Sequence, residues 1–402
     1  MSRIDPRAVL LLVHVVVCGV FGSAFLVLPL VALTPLIAVV SRDCARLLRA
    51  AADVVQATYL TQYATLIECL WGTKVFISGD LRSCHDCAIL LANHRTRLDW
   101  MFLWHLIARR FSMGQMVRAT ATLGSHPTRI SPTHPSLTPD TAAPGGGQKI
   151  ALKSNLLRAP LYGVTMDMFQ FLFLERDWER DRAAISRFWE HFARLNWPVQ
   201  LMLFPEGTDY NAGSIEKSRT FTEARGERPF KHVLAPRVAG FAHCVKESRA
   251  RRLLRAILDV TIAYETNVPQ NELAFLQGKL PTAIHFHVER IDVSDVNEAK
   301  LEQMLFARWR RKDELLTRFA AKNRLNNEPL TAQPMPVPMM LAPALWLCVT
   351  LGGIYAICVS HFLLAWFLMA LAIMALACFD LLPIRLGDIE KAYVTDAIEP
   401  SA

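Results

Sequence analysis

The residues best equipped for chemistry lie in Ala92-Asn93-His94-Arg95-Thr96-Arg97-Leu98-Asp99-Trp100, straight after the apolar run Ala88 to Ala92. Imidazole is the side chain best suited to take a proton near neutral pH. A carboxylate bonded to its other nitrogen fixes the tautomer and steadies the imidazolium that forms. His94 and Asp99 are five positions apart, so on one ideal helix they would be rotated by about 140° and share no face. They can meet if the apolar run is a buried strand, His94 stands in the turn after it and Asp99 opens the next helix. The plain alternative is a core histidine and an unrelated helix-start aspartate. No Ser or Cys accompanies the pair in an obvious nucleophile turn, so a hydroxyl on the substrate is the expected nucleophile.

Three other strand ends carry groups of interest. Val199 to Phe204 is a near-continuous apolar run, read as a strand buried on both faces. It leads into Pro205-Glu206-Gly207-Thr208-Asp209, where Pro takes the chain out of the sheet. There Gly207 lets a backbone N–H approach a ligand closely, and Glu206 can accept hydrogen bonds from a polyol. Met166 to Leu174 runs into Glu175-Arg176, and Arg176 is a candidate for bidentate phosphate binding, against a surface ion pair with Glu175, Asp177 or Glu179. Lys231 to Pro236 reads as a short strand running into Pro and the cation Arg237. A base, a cation, a glutamate and a second Pro turn can converge at one sheet edge, where open α/β sheets bind ligands.

The elements that must position these groups follow from periodicity. Residues 41–70, 98–109, 182–195 and 301–321 read as amphipathic helices. Residues 73–78, 87–92, 258–264 and 283–288 read as strands, the last placing His285 and His287 on one face. Strands interleaved with helices predict an α/β mixed-sheet sandwich. Residues 119–148, dominated by Ser, Thr, Pro, Gly and His, are expected to be a disordered insert. Cys84-His85-Asp86-Cys87 has C-x-x-C spacing but no second pair at zinc-site distance, so a turn is expected there and no metal.

Apolar residues make up 52% of the 402, which is high for a soluble protein and has a local cause. Neither Val9 to Val40 nor Pro338 to Phe379 contains an Asp, Glu, Lys or Arg. A membrane helix needs about 20 apolar residues, so each run can hold one long span or two short ones. A break at Pro29 or Pro35 would give a tilted span or a re-entrant pair; a cleaved signal peptide is the competing reading, and the run is long for one. In the second run Gly352-Gly353 and Ser360-His361 are possible turns, and two helices joined near Ser360-His361 are expected. Part of the net charge of +8 flanks the spans, at Arg42, Arg46 and Arg49 and at Arg308, Arg310, Arg311 and Lys312. Such flanks favour the cytosolic side and anionic head groups. No aromatic-basic module or zinc-finger spacing points to nucleic acid. Nine cysteines, several within the spans, argue against an extracellular disulfide framework.

Together these motifs resemble the glycerolipid acyltransferases, the lysophosphatidate acyltransferase superfamily. The H-x4-D motif is Asn93-His94 with Asp99, and the Phe-Pro-Glu-Gly motif is Phe204-Pro205-Glu206-Gly207. The strand ending in Arg is Phe171 to Arg176, and the Pro-containing strand end is Val233 to Pro236. The extended stretch Asn93 to Trp104, with Leu203 to Asp209 and Ile284 to Val288, is similar to the lysocardiolipin acyltransferase branch. The likeness covers about residues 10 to 320; the 119–148 insert departs from it, as does Glu175 before Arg176. The resemblance implies transfer of a fatty acyl group from acyl-CoA to a lysophospholipid hydroxyl, with His94 as base and Asp99 orienting it. It implies that Arg176, Glu206, Gly207, Pro205 and Asn93 serve the substrate, with Asn93 supporting either the His94 turn or the oxyanion. No metal or cofactor beyond acyl-CoA as co-substrate is then expected. The implied layout is an N-terminal anchor over 1–45, an acyltransferase domain over 46–325, membrane helices over 338–380 and a tail over 381–402, as a multi-pass protein of the endoplasmic reticulum. A 1-acylglycerol-3-phosphate acyltransferase making phosphatidate, a CoA-independent transacylase and a non-catalytic membrane lipid binder are the alternatives.

Overall fold

The computed structural model describes residues 4–38, 41–80, 88–110, 147–159, 162–327 and 331–396. The Cys84–Cys87 turn and residues 119–146 of the expected insert lie outside them. The described strands are β1 (Lys74–Gly79), β2 (Ala88–Ala92), β3 (Gly147–Lys153), β4 (Leu172–Leu174), β5 (Val199–Leu203), β6 (Ala256–Glu265) and β7 (Ala283–Asp292). The helices are α1 (Pro6–Gly22), α2 (Leu28–Ala38), α3 (Arg42–Trp71), α4 (Asp99–Arg110), α5 (Tyr162–Met168), α6 (Trp178–Arg194) and α7 (Ala212–Ala224). They continue with α8 (Val238–Ala250), α9 (Glu272–Leu276), α10 (Leu301–Lys322), α11 (Val337–Val359), α12 (His361–Cys378) and α13 (Leu386–Asp396). The chain divides into two compact units: Met1–Leu12, Tyr63–Arg109 and Leu201–Met335 form one, and Val13–Gln62, Arg110–Gln200 and Pro336–Ala402 the other.

The first unit is built on the strand order β1-β7-β6-β2, with residues 201–203 of β5 beside β2. β1 runs parallel to β7 and β2 parallel to β6, while β6 and β7 are antiparallel, so the sheet is mixed as expected. The interior of β2 and nearly all of β6 are buried, which is why both read as apolar runs rather than alternating strands. Asp259 in the middle of β6 is the exception. A buried carboxylate is tolerable only when paired and hydrogen-bonded, and α10 supplies the partners: Lys312 Nζ and Arg308 Nε each lie 2.5 Å from an Asp259 oxygen. Lys312 also donates to the Val260 carbonyl at 2.6 Å. Arg308 and Arg311 reach Glu289, and Arg310 reaches Glu227. The basic stretch expected to face lipid head groups is instead engaged with the protein's own carboxylates.

Lys231 to Pro236 is not a strand. Its N–H groups go to side chains rather than to a ladder: Lys231 and His232 donate to Asp313, Leu234 to Glu206 and Ala235 to Ser218 Oγ. Pro236 has no N–H to offer.

In the second unit β3 pairs parallel with β4. β3 starts at Gly147, so the last two residues of the expected insert are strand. The apolar run from Met166 divides, its beginning closing α5 and only its end forming β4. Beside them Asp53 binds Arg49, Lys149 and Trp197, and Glu390 of α13 completes the group through Arg49 and His191. Burial works against the Lys149 ammonium, whose pKa falls to about 8.

Three helical stretches, Pro6–Leu36, Val337–Val359 and His361–Cys378, are long and apolar enough to cross a membrane. Of the readings left open for the N-terminal run, the helix shows no break at Pro29 or Pro35. α1 continues through a π-helical segment, Ser23–Val27, into α2, and Pro35 lies inside that helix. The wider π turn directly precedes Pro29, where an N–H is missing from the ladder. The C-terminal run does turn at Ser360, which ends α11 and caps α12 by accepting the Leu363 N–H. Gly352-Gly353 stays helical, and the missing Cβ of Gly353 makes room for the ring of Phe21.

Asp259→Ala leaves Lys312 buried against the sheet without its carboxylate and Arg308 with Glu289 alone. The variant is expected to lose about 3–5 kcal/mol of stability, read as a lower thermal midpoint in detergent; an unchanged midpoint would contradict the role given to Asp259.

Candidate active site

β2 ends at Ala92 because Asn93 replaces the next ladder pair with its side chain. Its Nδ2 donates to the Ile262 carbonyl at 3.0 Å and its Oδ1 accepts the Ile262 N–H at 2.8 Å. Both ends of the Asn93 amide thus hold the turn to β6. Of the two roles that the family resemblance leaves open for Asn93, this geometry fits support of the turn. The chain then bends through Thr96 and enters α4 at Asp99, whose carboxylate folds back on the turn that precedes it. Asp99 Oδ2 accepts the Thr96 N–H at 3.0 Å and meets His94 Nδ1 at 2.9 Å. Strand, turn and helix start bring together the two residues that a single helix would have kept apart.

Asp99 has no exposed surface, and its other oxygen takes the hydroxyl of Tyr264, on β6, at 2.5 Å. Burial and the Asp99 charge raise the Tyr264 pKa well above 10, so the phenol stays protonated and donates. With Nδ1–H given to Asp99, His94 Nε2 carries the lone pair, and it has no hydrogen-bond partner among the described residues. The ring stacks on Phe204 at 4.5 Å between centroids and keeps 17% of its side-chain surface exposed. Burial disfavours the imidazolium, but the bond to Asp99 and the charges of Asp99, Glu206 and Asp209 outweigh it and lift the His94 pKa above 6.5.

Phe204 to Gly207 forms a tight turn closed by the Gly207 N–H on the Phe204 carbonyl at 2.9 Å. Gly207 has φ of +70°, which favours glycine. Pro205 offers its carbonyl to the Arg237 N–H at 2.7 Å. Glu206 points inward and is 3% exposed. Its Oε1 accepts the His94 N–H at 3.1 Å and the Trp309 indole N–H at 3.3 Å; its Oε2 accepts the Leu234 N–H at 3.1 Å. Burial pushes its pKa up to about 7 against these donors. The expectation that Glu206 binds a polyol meets a carboxylate already engaged with the protein, where it fixes the backbone of the base.

His94, Asp99, Asn93, Pro205, Glu206 and Gly207 all fall in the first unit. Arg176 falls in the second. It follows β4 with a left-handed backbone (φ 65), and its N–H, like that of Glu175, is accepted by Asp181. Two residues of the site, Tyr264 and Trp309, escaped the sequence reading, whereas Arg237, singled out there as a cation after Pro236, lies beside Gly207. Tyr264 and Trp309 occupy ordinary strand and helix positions, and only the pairing of β2 with β6 and the docking of α10 reveal them. Among the described residues no three His, Cys, Asp or Glu side chains gather as a metal site.

Residues 274–346 match a family described as Acyltransferase C-terminus. Lysocardiolipin acyltransferase 1 of Danio rerio is 36% identical over 321 residues, covering 79% of this chain and 72% of that protein. The chain belongs to the glycerolipid acyltransferases. Lysophosphatidylinositol acyltransferase 10 of Caenorhabditis elegans is 33% identical, covering 64% of this chain and 59% of that protein. A probable 1-acyl-sn-glycerol-3-phosphate acyltransferase 5 of Arabidopsis thaliana is 32% identical, covering 67% and 64%. In these latter two cases the chain spans less than two thirds of its relative. Among solved structures, the 1-acyl-sn-glycerophosphate acyltransferase PlsC from Thermotoga maritima aligns with a TM-score of 0.39 at 13% identity, over 77% of this chain and 98% of that one. That likeness is too low to bear on the fold. No Ser or Cys is bonded to His94 among the described residues.

Because the His94 pKa lies above 6.5, its basic form grows only as pH rises through that raised value. The acid limb of kcat/KM is expected above pH 6.5. Asp99→Asn removes the carboxylate that raises it, so the limb moves to lower pH while the rate falls about 10²–10⁴-fold. Tyr264→Phe leaves Asp99 with one donor fewer and a stronger hold on the imidazolium, so its limb moves to higher pH. Limbs that stay put in both variants would separate His94 from the titration. Glu206→Gln turns an NH2 group toward one of the three donors and is expected to cost about 1–3 kcal/mol of stability together with most of the activity, measured by thermal unfolding and turnover of the same preparation.

Proposed function

We propose that the protein transfers a fatty acyl group from acyl-CoA to the free hydroxyl of a lysophospholipid, with lysocardiolipin or another anionic lysophospholipid as acceptor. The observation that carries this reading is the His94–Asp99 pair: a base whose second nitrogen, among the described residues, has no partner and no side-chain nucleophile bonded to it. His94 Nε2 takes the proton of the acceptor hydroxyl. The oxygen attacks the thioester carbonyl, the C–S bond breaks, and the imidazolium returns its proton to the departing CoA thiolate. Asp99 holds Nδ1–H throughout. General-base help of this kind is worth about 10²–10⁴-fold in rate. Attack by the acceptor itself needs neither a covalent acyl-enzyme nor a metal or cofactor.

The named relatives support the acceptor class, since their names specify lysocardiolipin, lysophosphatidylinositol and 1-acylglycerol-3-phosphate. The last of these favours a second reading, formation of phosphatidate. For Arg176 the phosphate-binding role rests on the family resemblance. The three apolar helices support a multi-pass membrane protein, and we place it in the endoplasmic reticulum with the site on the cytosolic side. Both substrates carry chains that reside in membranes, so a site held at the bilayer raises their effective concentration.

Membranes bearing the wild-type protein are expected to move label from acyl-CoA to lysocardiolipin faster than to lysophosphatidylinositol or 1-acylglycerol-3-phosphate. Membranes bearing His94→Ala at equal abundance are expected to fall at least about 100-fold below. Near-normal transfer by the variant would overturn the reading, and a preference for 1-acylglycerol-3-phosphate would replace the acceptor.

A further inference from the structure

Several arginines of the first unit are engaged by the protein's own carboxylates: Arg109 by Glu68, Arg225 by Glu302, Arg251 by Glu247 and Arg308 by Asp259. Arg95 and Arg237 are different. Neither guanidinium has a carboxylate within ion-pair distance among the described residues, and both are fixed against the loops that build the site. Arg237 is exposed, and its side chain lies across the open face of Gly207. A Cβ on that glycine would stand 3.1 Å from Arg237 Nε and 3.4 Å from Cζ. The backbone N–H of Arg237 is bonded to Pro205, so the cation is tied to the same turn as Glu206. Arg95 follows the base directly and rests on the ring of Tyr210, 4.5 Å from its centroid. Tyr210 in turn donates its N–H to the His94 carbonyl at 3.0 Å.

A guanidinium carries a planar fork of N–H donors that matches a phosphate bidentately. Arg237 is exposed and Arg95 half-buried, so both cations remain open to an incoming anion beside the base. We propose that Arg95 and Arg237 bind a phosphate group of the substrate delivered to His94, a role distinct from the one assigned to Arg176. This rests on the acyl-transfer reading. The same chemistry is offered by two sources, the phosphate of the lysophospholipid and the phosphates of CoA, and the two Michaelis constants distinguish them.

The test uses full-length protein in membranes, as wild type, Arg237→Gln, Arg237→Lys and Arg95→Gln. KM for the lysophospholipid is measured at saturating acyl-CoA, and KM for acyl-CoA at saturating lysophospholipid. Each Gln variant is expected to raise one of the two constants about 10- to 100-fold, the loss of one charge-assisted contact, with kcat within about threefold of wild type. Arg237→Lys keeps the charge and is expected to recover part of the loss. A rise in the lysophospholipid constant assigns the subsite to the acceptor, and a rise in the acyl-CoA constant assigns it to the donor. If both constants stay at wild-type values, or kcat alone falls and Lys does no better than Gln, the arginines are structural and the inference fails. Should Arg237→Gln be lost from the membrane fraction, Arg95→Gln carries the same reading. Wild-type turnover with unaltered variants sinks only this inference, whereas no wild-type turnover on any acceptor sinks the acyl-transfer reading and this one with it.

Discussion

The carboxylate of Glu206 is almost wholly withdrawn from water, a placement that is tolerable only where hydrogen-bond donors replace the lost hydration. Three do so, and each comes from a different part of the chain: the His94 N–H after β2, the Leu234 N–H from the segment before α8, and the Trp309 indole from α10. The geometry of the base depends on this one group. Without it the turn bearing His94 would lose its link to the Phe204–Gly207 turn, and α10 would lose a polar contact with the site it covers. The fixed cost of burying the carboxylate shows in its pKa of about 7.

A second buried carboxylate, Asp259 on β6, anchors the same helix. Asp259 draws the buried Lys312 and the half-buried Arg308 of α10 onto β6, and Trp309 lies between them in the sequence of that helix. Burial of charge here gives weak evidence for added stability, since apolar replacements of such pairs are often as stable. Its evident use is to set the position of α10. The site itself follows the opposite electrostatic logic to an isolated buried histidine. Burial alone would hold the His94 imidazole neutral, and Asp99, kept in place by Thr96 and Tyr264, reverses that preference. A base with a raised pKa is a better proton acceptor once neutral, and it stabilises the charge that forms during the reaction.

The strand, turn and helix start that join His94 to Asp99 were legible in the sequence because the signals are local: an apolar run, a polar turn and an aspartate opening an apolar helix. The same holds for β5 and its exit at Pro205, for β6 and β7, and for the turn at Ser360. What escaped is long-range. Glu206 looks like a ligand to a polyol until its partners, 28 and 103 residues further along, are seen to be backbone and indole donors. The basic stretch from Arg308 to Lys312 looks like a membrane flank because its principal counter-ion, Asp259, is hidden in an apolar strand. Lys231 to Pro236 has strand composition, yet its N–H groups are taken by side chains that no local pattern predicts. Pro29 and Pro35 suggested a broken helix, and the chain absorbs them in a continuous one with a π segment.

The central claim is that His94 activates the acceptor hydroxyl for direct attack on the acyl donor. The most direct test is a rapid-quench experiment with acyl-labelled acyl-CoA, first without and then with lysophospholipid. The account predicts no label on the protein at any time without acceptor, prompt labelling of the lipid when acceptor is added, and neither event in His94→Ala. Label that appears on the protein without acceptor, and passes to the lipid as fast as turnover, would contradict it.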